Sequence, residues 1–476
     1  MTTLIESRFV PVVNRDQEIG EALQRLEALF SGVTRKDCVL FWYGVPTVGK
    51  TTILKEIRYQ ISTQSIPTAL INFEDEMEKD REALQRRIAQ ALMDQLSSAS
   101  RFVPGLSITD NTSATDAASR LLTFIRDLSG SNQRRPFVLF FDTVESCDQA
   151  VFRWMQEKIL APILNDDELR KLIIMAGRAE PRTAEYDLIY PLEAGLVKFP
   201  LQPFDGGQTS IQLKEIGVGE SLISGEELVG YTSGLPGLND EAARWLNDHP
   251  QSSSDELLTY LVDDIIFTRH AGAAGNLKDL KDELLAVSLL HHFDEELFAD
   301  LAASLWKERY LHIDSRVIRN KFNRLLGTRL VESLPGGYAV PRLLRLILTQ
   351  YMKMKKREIY YLVYLKAAVW FKQQVEQKDF AAIGDRLYYL GELWNDIDTM
   401  PIEIKTKLQE SELLPPPQLD DPDDKAVHEL QDTVRTLHQQ SYPTSTSFDR
   451  IRKMVEKELP SVYKPATLEK LEAVLN

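Results

Sequence analysis

Cysteine is nearly absent: only Cys38 and Cys147 occur in a chain of 476 residues. Two thiols make no disulfide framework. Both lie in or beside apolar stretches, so they are expected to be buried thiols and not metal ligands. An excess of positive charge is lacking too. Lys and Arg number 56 against 71 Asp and Glu, a formal net charge of −15. That opposes a dominant nucleic-acid role, although a local basic patch is still compatible with it. No run of about 18 apolar residues exists, so no membrane-spanning helix is expected. The opening MTTLIESRF has neither the basic nor the apolar region of a signal peptide. The expectation is a cytoplasmic protein, of a length for roughly two to four domains.

What is present starts at FWYGVPTVGKTTILKEI, residues 41–57. Gly44-Val45-Pro46-Thr47-Val48-Gly49-Lys50-Thr51, followed by Thr52, fits G-x-x-x-x-G-K-[ST], the P-loop. Cys38–Tyr43 is expected to be a buried strand and Thr52–Ile57 to open a helix, the context such a loop needs. Its backbone N–H groups form an anion nest, and the helix adds the positive end of its dipole. Lys50 is expected on the β- and γ-phosphates, and the Thr51 hydroxyl on Mg²⁺.

Further apolar strands are expected at Thr68–Phe73, Phe137–Asp142 and Leu172–Ala176, separated by helices. The first of these helices is expected to be an acidic one at Glu74–Leu96 and the second to lie near Ala117–Leu128. Strands alternating with helices imply an α/β fold with a parallel sheet buried on both faces. Ligands of such sheets bind at the carboxyl ends of the strands, where Gly44, Asp142 and Arg178 fall. Strand signals fade after Phe204. Helices and then the turn Leu334-Pro335-Gly336-Gly337 have the order of a winged helix. Beyond Gln350 the chain is expected to be helical, with Ile359–Gln374 and Phe380–Trp394 as a helix hairpin. Residues 271–275 and 414–424 are expected to be a loop and a linker.

Asp142 ends an apolar strand, as a carboxylate holding Mg²⁺ would; capping the next helix is the plainer alternative. Glu145, three residues on, would activate or position the attacking water, or simply start a helix. Arg178 would reach a γ-phosphate from the neighbouring strand end, or pair with Glu180. Arg15, before an amphipathic helix, means little on its own.

The order of these pieces resembles the STAND class of P-loop ATPases, relatives of the NACHT and NB-ARC proteins. The motifs are Asn14-Arg15-Asp16-Gln17-Glu18 as R-x-x-E, GVPTVGKTT, FVLFFDTVE, LIIMAGR, and Gly234-Leu235-Pro236-Gly237 as G-x-P. The resemblance implies a P-loop domain over 1–205, a helical lid over 206–274, a winged helix over 275–350 and a helical domain over 351–476. It implies ATP or ADP with Mg²⁺, Arg15 near the nucleotide and Pro236 near the adenine. Lys50, Asp142, Glu145 and Arg178 would carry slow hydrolysis in a signalling switch that oligomerises when bound to ATP. Thr143 departs from the NB-ARC pattern of paired acids, which leaves Glu145 as the hydrolytic candidate. Pro341 stands where many relatives have a histidine on ADP, so Arg342 is expected to make that contact. Arg15 comes so early that the chain is expected to be either an ATPase core whose effector or sensor is a separate protein, or a stripped regulator.

Two other functions were open on the sequence. An Orc-like initiator or transposition-helper ATPase would use the basic helix around Arg319 and Arg324 on DNA. That is not expected here, because charge on a helix face is usually a solvated or interdomain surface. A small-molecule kinase would need its own acid–base residues, and none stand out.

Overall fold

The computed structural model describes residues 12–31, 38–74, 80–100, 107–130, 136–181, 188–219, 222–269, 277–306, 315–328, 330–334, 336–377, 379–411, 413, 421–439 and 445–476. Its contacts fall into two compact units, residues 1–251 and 252–476.

The first unit is built on β1 (Val39–Tyr43), β2 (Thr68–Asn72), β3 (Phe137–Asp142), β4 (Lys171–Gly177) and β5 (Leu196–Pro200). They form one sheet in the order β2-β3-β4-β1-β5. Every pairing is parallel. The apolar runs are continuous because successive side chains serve opposite faces and both faces are covered. Phe41, Ile71, Leu139, Phe141 and Ile173 join one core with the helices Arg81–Ser100 and Ala114–Gly130. The alternate residues Leu40, Trp42, Val138, Phe140 and Ile174 are fully buried as well. The helices Asp16–Phe30 and Lys50–Thr63 lie against β4. The acidic helix expected from Glu74 begins at Arg81, and residues 75–79 lie outside the described residues.

Register sets the level of the strand ends. Tyr43 pairs with Gly177, Phe141 with Met175 and Asn72 with Asp142. Gly44, Asp142 and Arg178 therefore leave the sheet at one carboxyl edge. β4 lies between β1 and β3, which puts Arg178 between the P-loop and Asp142.

Three helices complete this unit: Gly206–Ile216, Gly225–Thr232 and Pro236–Asp248. Asp205 and Gln208 cap the first reciprocally. A buried polar knot ties the three together. Thr232 Oγ1 donates to Asn239 Oδ1 at 2.5 Å, and Asn239 Nδ2 donates to Gln212 Oε1 at 3.0 Å. Gln212 Nε2 in turn donates to the Pro236 carbonyl at 2.9 Å. Every member is satisfied, so the knot orients these helices without leaving a buried donor unmet.

In the second unit the helices Glu295–Leu305 and Ser315–Leu326 precede an antiparallel hairpin, β6 (Glu332–Leu334) and β7 (Gly337–Ala339). Phe293 bridges to Tyr338 beside it. The helix hairpin expected further on is Arg357–Glu376 and Ile383–Asn395, packed through Tyr360, Tyr364 and Tyr389. Residues 271–275 and 414–420 lie outside the described residues. Among the described residues no helix is long and apolar enough to cross a membrane.

The basic helix in this unit is matched by carboxylates. Arg319 meets Glu295 at 2.7 Å, Lys321 meets the buried Glu283 at 2.7 Å, and Arg324 grips Asp279 at 2.7 and 3.0 Å. The Arg324 pair holds the Asp279 carboxyl below its ordinary value.

Candidate nucleotide site

The P-loop backbone leaves the ordinary regions at Thr47 (φ 66°) and Gly49 (φ 101°). At Gly49 the absence of a β-carbon makes the left-handed turn easy. The next helix starts at Lys50 with no side-chain cap and no acid in its first turn. Most helices fill that end with a capping side chain or an acid. Here the N–H groups and the dipole are left to face an anion.

Lys50 Nζ donates to the Gly44 and Val45 carbonyls at 2.6 and 3.0 Å. Burial pushes its pKa down to about 8, and Arg178 adds to the shift, while Glu145 and Asp142 oppose it. These three groups therefore lie close enough to Lys50 to act on its charge. Asp142 is buried at 2% exposure. Burial pushes its carboxyl up; the Thr51 hydroxyl, as a hydrogen-bond partner, and the Lys50 ammonium pull the other way.

Asp142 Oδ1 and Glu145 Oε2 are buried without a hydrogen-bond partner. Glu145 sits on the one-turn helix Val144–Ser146, entered through Thr143 at φ 57°. Glu180 pairs with Lys198. Cys38 is buried and Cys147 half-buried, with burial and then Asp148 pushing the Cys147 thiol up to about 12.

A cavity of about 280 Å³ opens beside the loop. Thr47, Val48, Gly49, Lys50, Thr51 and Thr52 line its P-loop side, with Arg15 and Pro236 among its other walls. Gly237, from the G-x-P motif, also lines it, as do Val12, Val13, Phe204, Gln212 and Asp240, which no sequence motif announced. An apolar hint existed in Val12-Val13 before Asn14-Arg15, but Phe204 and Gln212 lie about two hundred residues away.

Arg15 braces this cavity. Its guanidinium donates to the Val48 carbonyl at 3.1 Å and the Gln202 carbonyl at 2.7 Å. It pairs with Glu18 at 3.0 Å and lies over the Phe204 ring at 4.8 Å. Three of its partners are thus a P-loop carbonyl, the segment leading to the helix Gly206–Ile216, and its own helix. The Pro236–Asp248 helix touches the loop directly, since Gly237 N donates to the Thr47 carbonyl at 2.9 Å. A β-carbon on Gly237 would meet Thr47 Cβ at 3.0 Å, so a side chain here would crowd the P-loop.

The donor set fits a nucleotide with Mg²⁺. An unpartnered carboxylate oxygen and a hydroxyl face each other beside an uncapped helix start, and Mg²⁺ takes such oxygens together with phosphates. No cluster of three or more His, Cys, Asp or Glu able to hold a metal occurs among the described residues. Mg²⁺ held by one or two side chains plus phosphates requires none. Arg342 lies in the second unit, where it donates to the Lys457 carbonyl at 3.4 Å.

Residues 11–175 match the AAA ATPase domain family. No curated protein matches the chain. Among solved structures, the Walker-type ATPase of Pyrococcus abyssi aligns at 15% identity and TM-score 0.44, over 71% of this chain and 95% of its own. The Orc1 protein of Aeropyrum pernix in complex with DNA aligns at 14% and TM-score 0.38, over 73% and 95%. A STAND protein with a tetratricopeptide repeat sensor from Pyrococcus horikoshii aligns at 14% and TM-score 0.31, over 97% and 63%. With the P-loop, Asp142 and the five-stranded parallel sheet in place, the first unit has a P-loop NTPase fold, and residues 11–175 are similar to the AAA ATPase domains.

Proposed function

We propose that the chain is a nucleotide-dependent switch of the STAND kind, binding ATP and hydrolysing it slowly. The observation that carries this is the double wall of the cavity. One side is the P-loop, and the other is Phe204, Gln212, Pro236 and Gly237 from the lid helices and the segment before them. A nucleotide there would touch both, so its γ-phosphate would bias how the lid helices sit.

Thr51 and Asp142 would hold Mg²⁺, which bridges and neutralises phosphate oxygens when bound. Lys50 and the uncapped helix start bind the phosphates. Val12, Val13, Phe204 and Pro236 offer apolar walls to a base. Glu145 orients the attacking water and accepts its proton through its unpartnered oxygen. Arg178 meets the charge that develops on the transferring group. The helix pair followed by the hairpin β6–β7 is taken as a winged helix, between a lid and a helical tail that serves a sensor or effector partner.

Ion pairs over Arg319, Lys321 and Arg324 weigh against the DNA-binding alternative. For Arg342 to close on ADP its guanidinium would have to leave Lys457 and Glu458. Equal ADP dissociation rates for wild type and Arg342→Ala would remove it from the site. The switch itself is tested by mass. Light scattering of Glu145→Gln with Mg·ATP should show a larger assembly than with Mg·ADP. The same mass in both nucleotides would sink the switch while leaving nucleotide binding intact.

A further inference from the structure

The second unit holds a separate cavity of about 710 Å³. Its walls are the His291–His292 turn, the hairpin, the start of the helix Arg342–Lys355, and the end of the helix Ser445–Lys457. The Arg342–Lys355 helix begins without a side-chain cap and without an acid in its first turn. Arg342 and Arg345 stand there instead. Cations at the positive end of a helix dipole are disfavoured unless an anion offsets them.

The offset inside the protein is thin. Arg345 donates to the Leu290 carbonyl and to Glu458 Oε2, both at 3.4 Å. Arg342 Nε is 3.8 Å from the same Glu458 oxygen. Ordinary N–H···O bonds are about 2.9–3.0 Å, so these donors are poorly used. Arg450 is better served, at 2.9 Å from the buried Asp385 and against the His292 ring. Lys453, exposed, adds a fourth cation to the wall.

A second observation is independent of the helix start. His291 lines the cavity at 8% exposure, and neither ring nitrogen has a hydrogen-bond partner. Nδ1 lies 3.9 Å from Asp385 and Nε2 lies 3.8 Å from Glu458, too far to bond either. Burial holds the ring neutral, and Arg345, His292, Arg342 and Arg450 add to the effect. A neutral imidazole offers one donor and one acceptor, and burying both unmet is costly.

Glu332, Asp385, Asp449 and Glu458 also face the space. Four cations against four carboxylates do not suit a bare polyanion. They suit a ligand whose anionic group meets the arginines while its hydroxyls donate to the carboxylates. The volume is that of a small-molecule site.

We propose that this cavity binds a small phosphorylated polyol of the sugar-phosphate class. Its phosphate lies at the helix start between Arg342, Arg345 and Lys453, and His291 bonds the ligand directly. The phosphate takes over the arginines that Glu458 holds weakly.

The test is calorimetry of the full chain with ribose 5-phosphate and with inorganic phosphate, in wild type and in Lys50→Ala, which removes the P-loop contribution. Ribose 5-phosphate should bind both forms, and about tenfold or more tighter than inorganic phosphate. Arg345→Gln should weaken it by about tenfold or more, as loss of a bond to a charged group does. Lys453→Glu, at an exposed position, should do the same where Arg345→Gln does not fold. No binding of ribose 5-phosphate in the millimolar range, binding lost in Lys50→Ala, or binding unchanged in Lys453→Glu would each overturn the proposal. Equal binding of inorganic phosphate would reduce the cavity to non-specific ion pairing and overturn it as well.

Discussion

Lys50 shows how much of the site one residue carries. Its ammonium is held by the loop carbonyls of Gly44 and Val45, close to Glu145, Asp142 and Arg178. Lys50→Ala removes the point charge that the proposed function sets against the phosphates. A bond to a charged group is worth about 1.5–3 kcal/mol, so ATP affinity by calorimetry should fall by roughly 10–150-fold. Unchanged affinity would remove the P-loop from the account. Glu145→Gln keeps the shape of the side chain but loses the base. ATP binding should persist while single-turnover hydrolysis slows by about 10²–10⁴-fold. If hydrolysis is untouched, Glu145 serves only to start the short helix Val144–Ser146. At this scale the sequence was readable wherever chemistry is packed into a contiguous motif. Lys50, Thr51, Asp142, Glu145 and Arg178 were all singled out that way as candidates, and the fold sets them near one another. Phe204, Gln212 and Asp240 were not, because only folding brings them beside the loop and their residue types carry no phosphate chemistry. Arg15 was found only through its family pattern. Its work, a brace across two backbone carbonyls, has no local signature.

At the scale of elements, the turn into the Pro236–Asp248 helix is the most constrained joint. Gly234 has φ 69°, and a β-carbon there would lie 2.0 Å from the Phe204 carbonyl oxygen. That carbonyl belongs to the residue whose N–H donates to Gly234 O at 2.7 Å. Gly234→Ala should therefore cost at least about 1–3 kcal/mol. The denaturant midpoint of the first unfolding transition should drop, and ATP affinity should drop with it as Pro236 and Gly237 shift. A midpoint equal to wild type would show that the joint tolerates a side chain. The strands β1 to β4 were legible because each is a long apolar run between turn signals. β5, as long as β1 and β2, was missed: it is a partly exposed edge strand whose apolar run is broken by Lys198 and ends at Pro200. Its place beside β1, and the insertion of β4 between β1 and β3, depend on distant pairing that local pattern does not encode. The basic helix Ser315–Leu326 was legible as a charged face. Its carboxylate partners Asp279, Glu283 and Glu295 come from other segments, so its neutralisation was not.

For the whole molecule, the P-loop and the helices Gly206–Ile216, Gly225–Thr232 and Pro236–Asp248 belong to the same compact unit, residues 1–251. The bond from Gly237 to Thr47 joins them directly, and the Arg15 brace ties Val48 to Gln202 in the segment before Gly206. The central claim is that one nucleotide reads both. Hydrogen exchange of the full chain with and without Mg·ATP tests it most directly. The prediction is that protection rises together in residues 44–57 and in residues 236–248, with Lys50→Ala abolishing both. Protection confined to residues 44–57, with residues 236–248 exchanging as in the nucleotide-free protein, would contradict the claim.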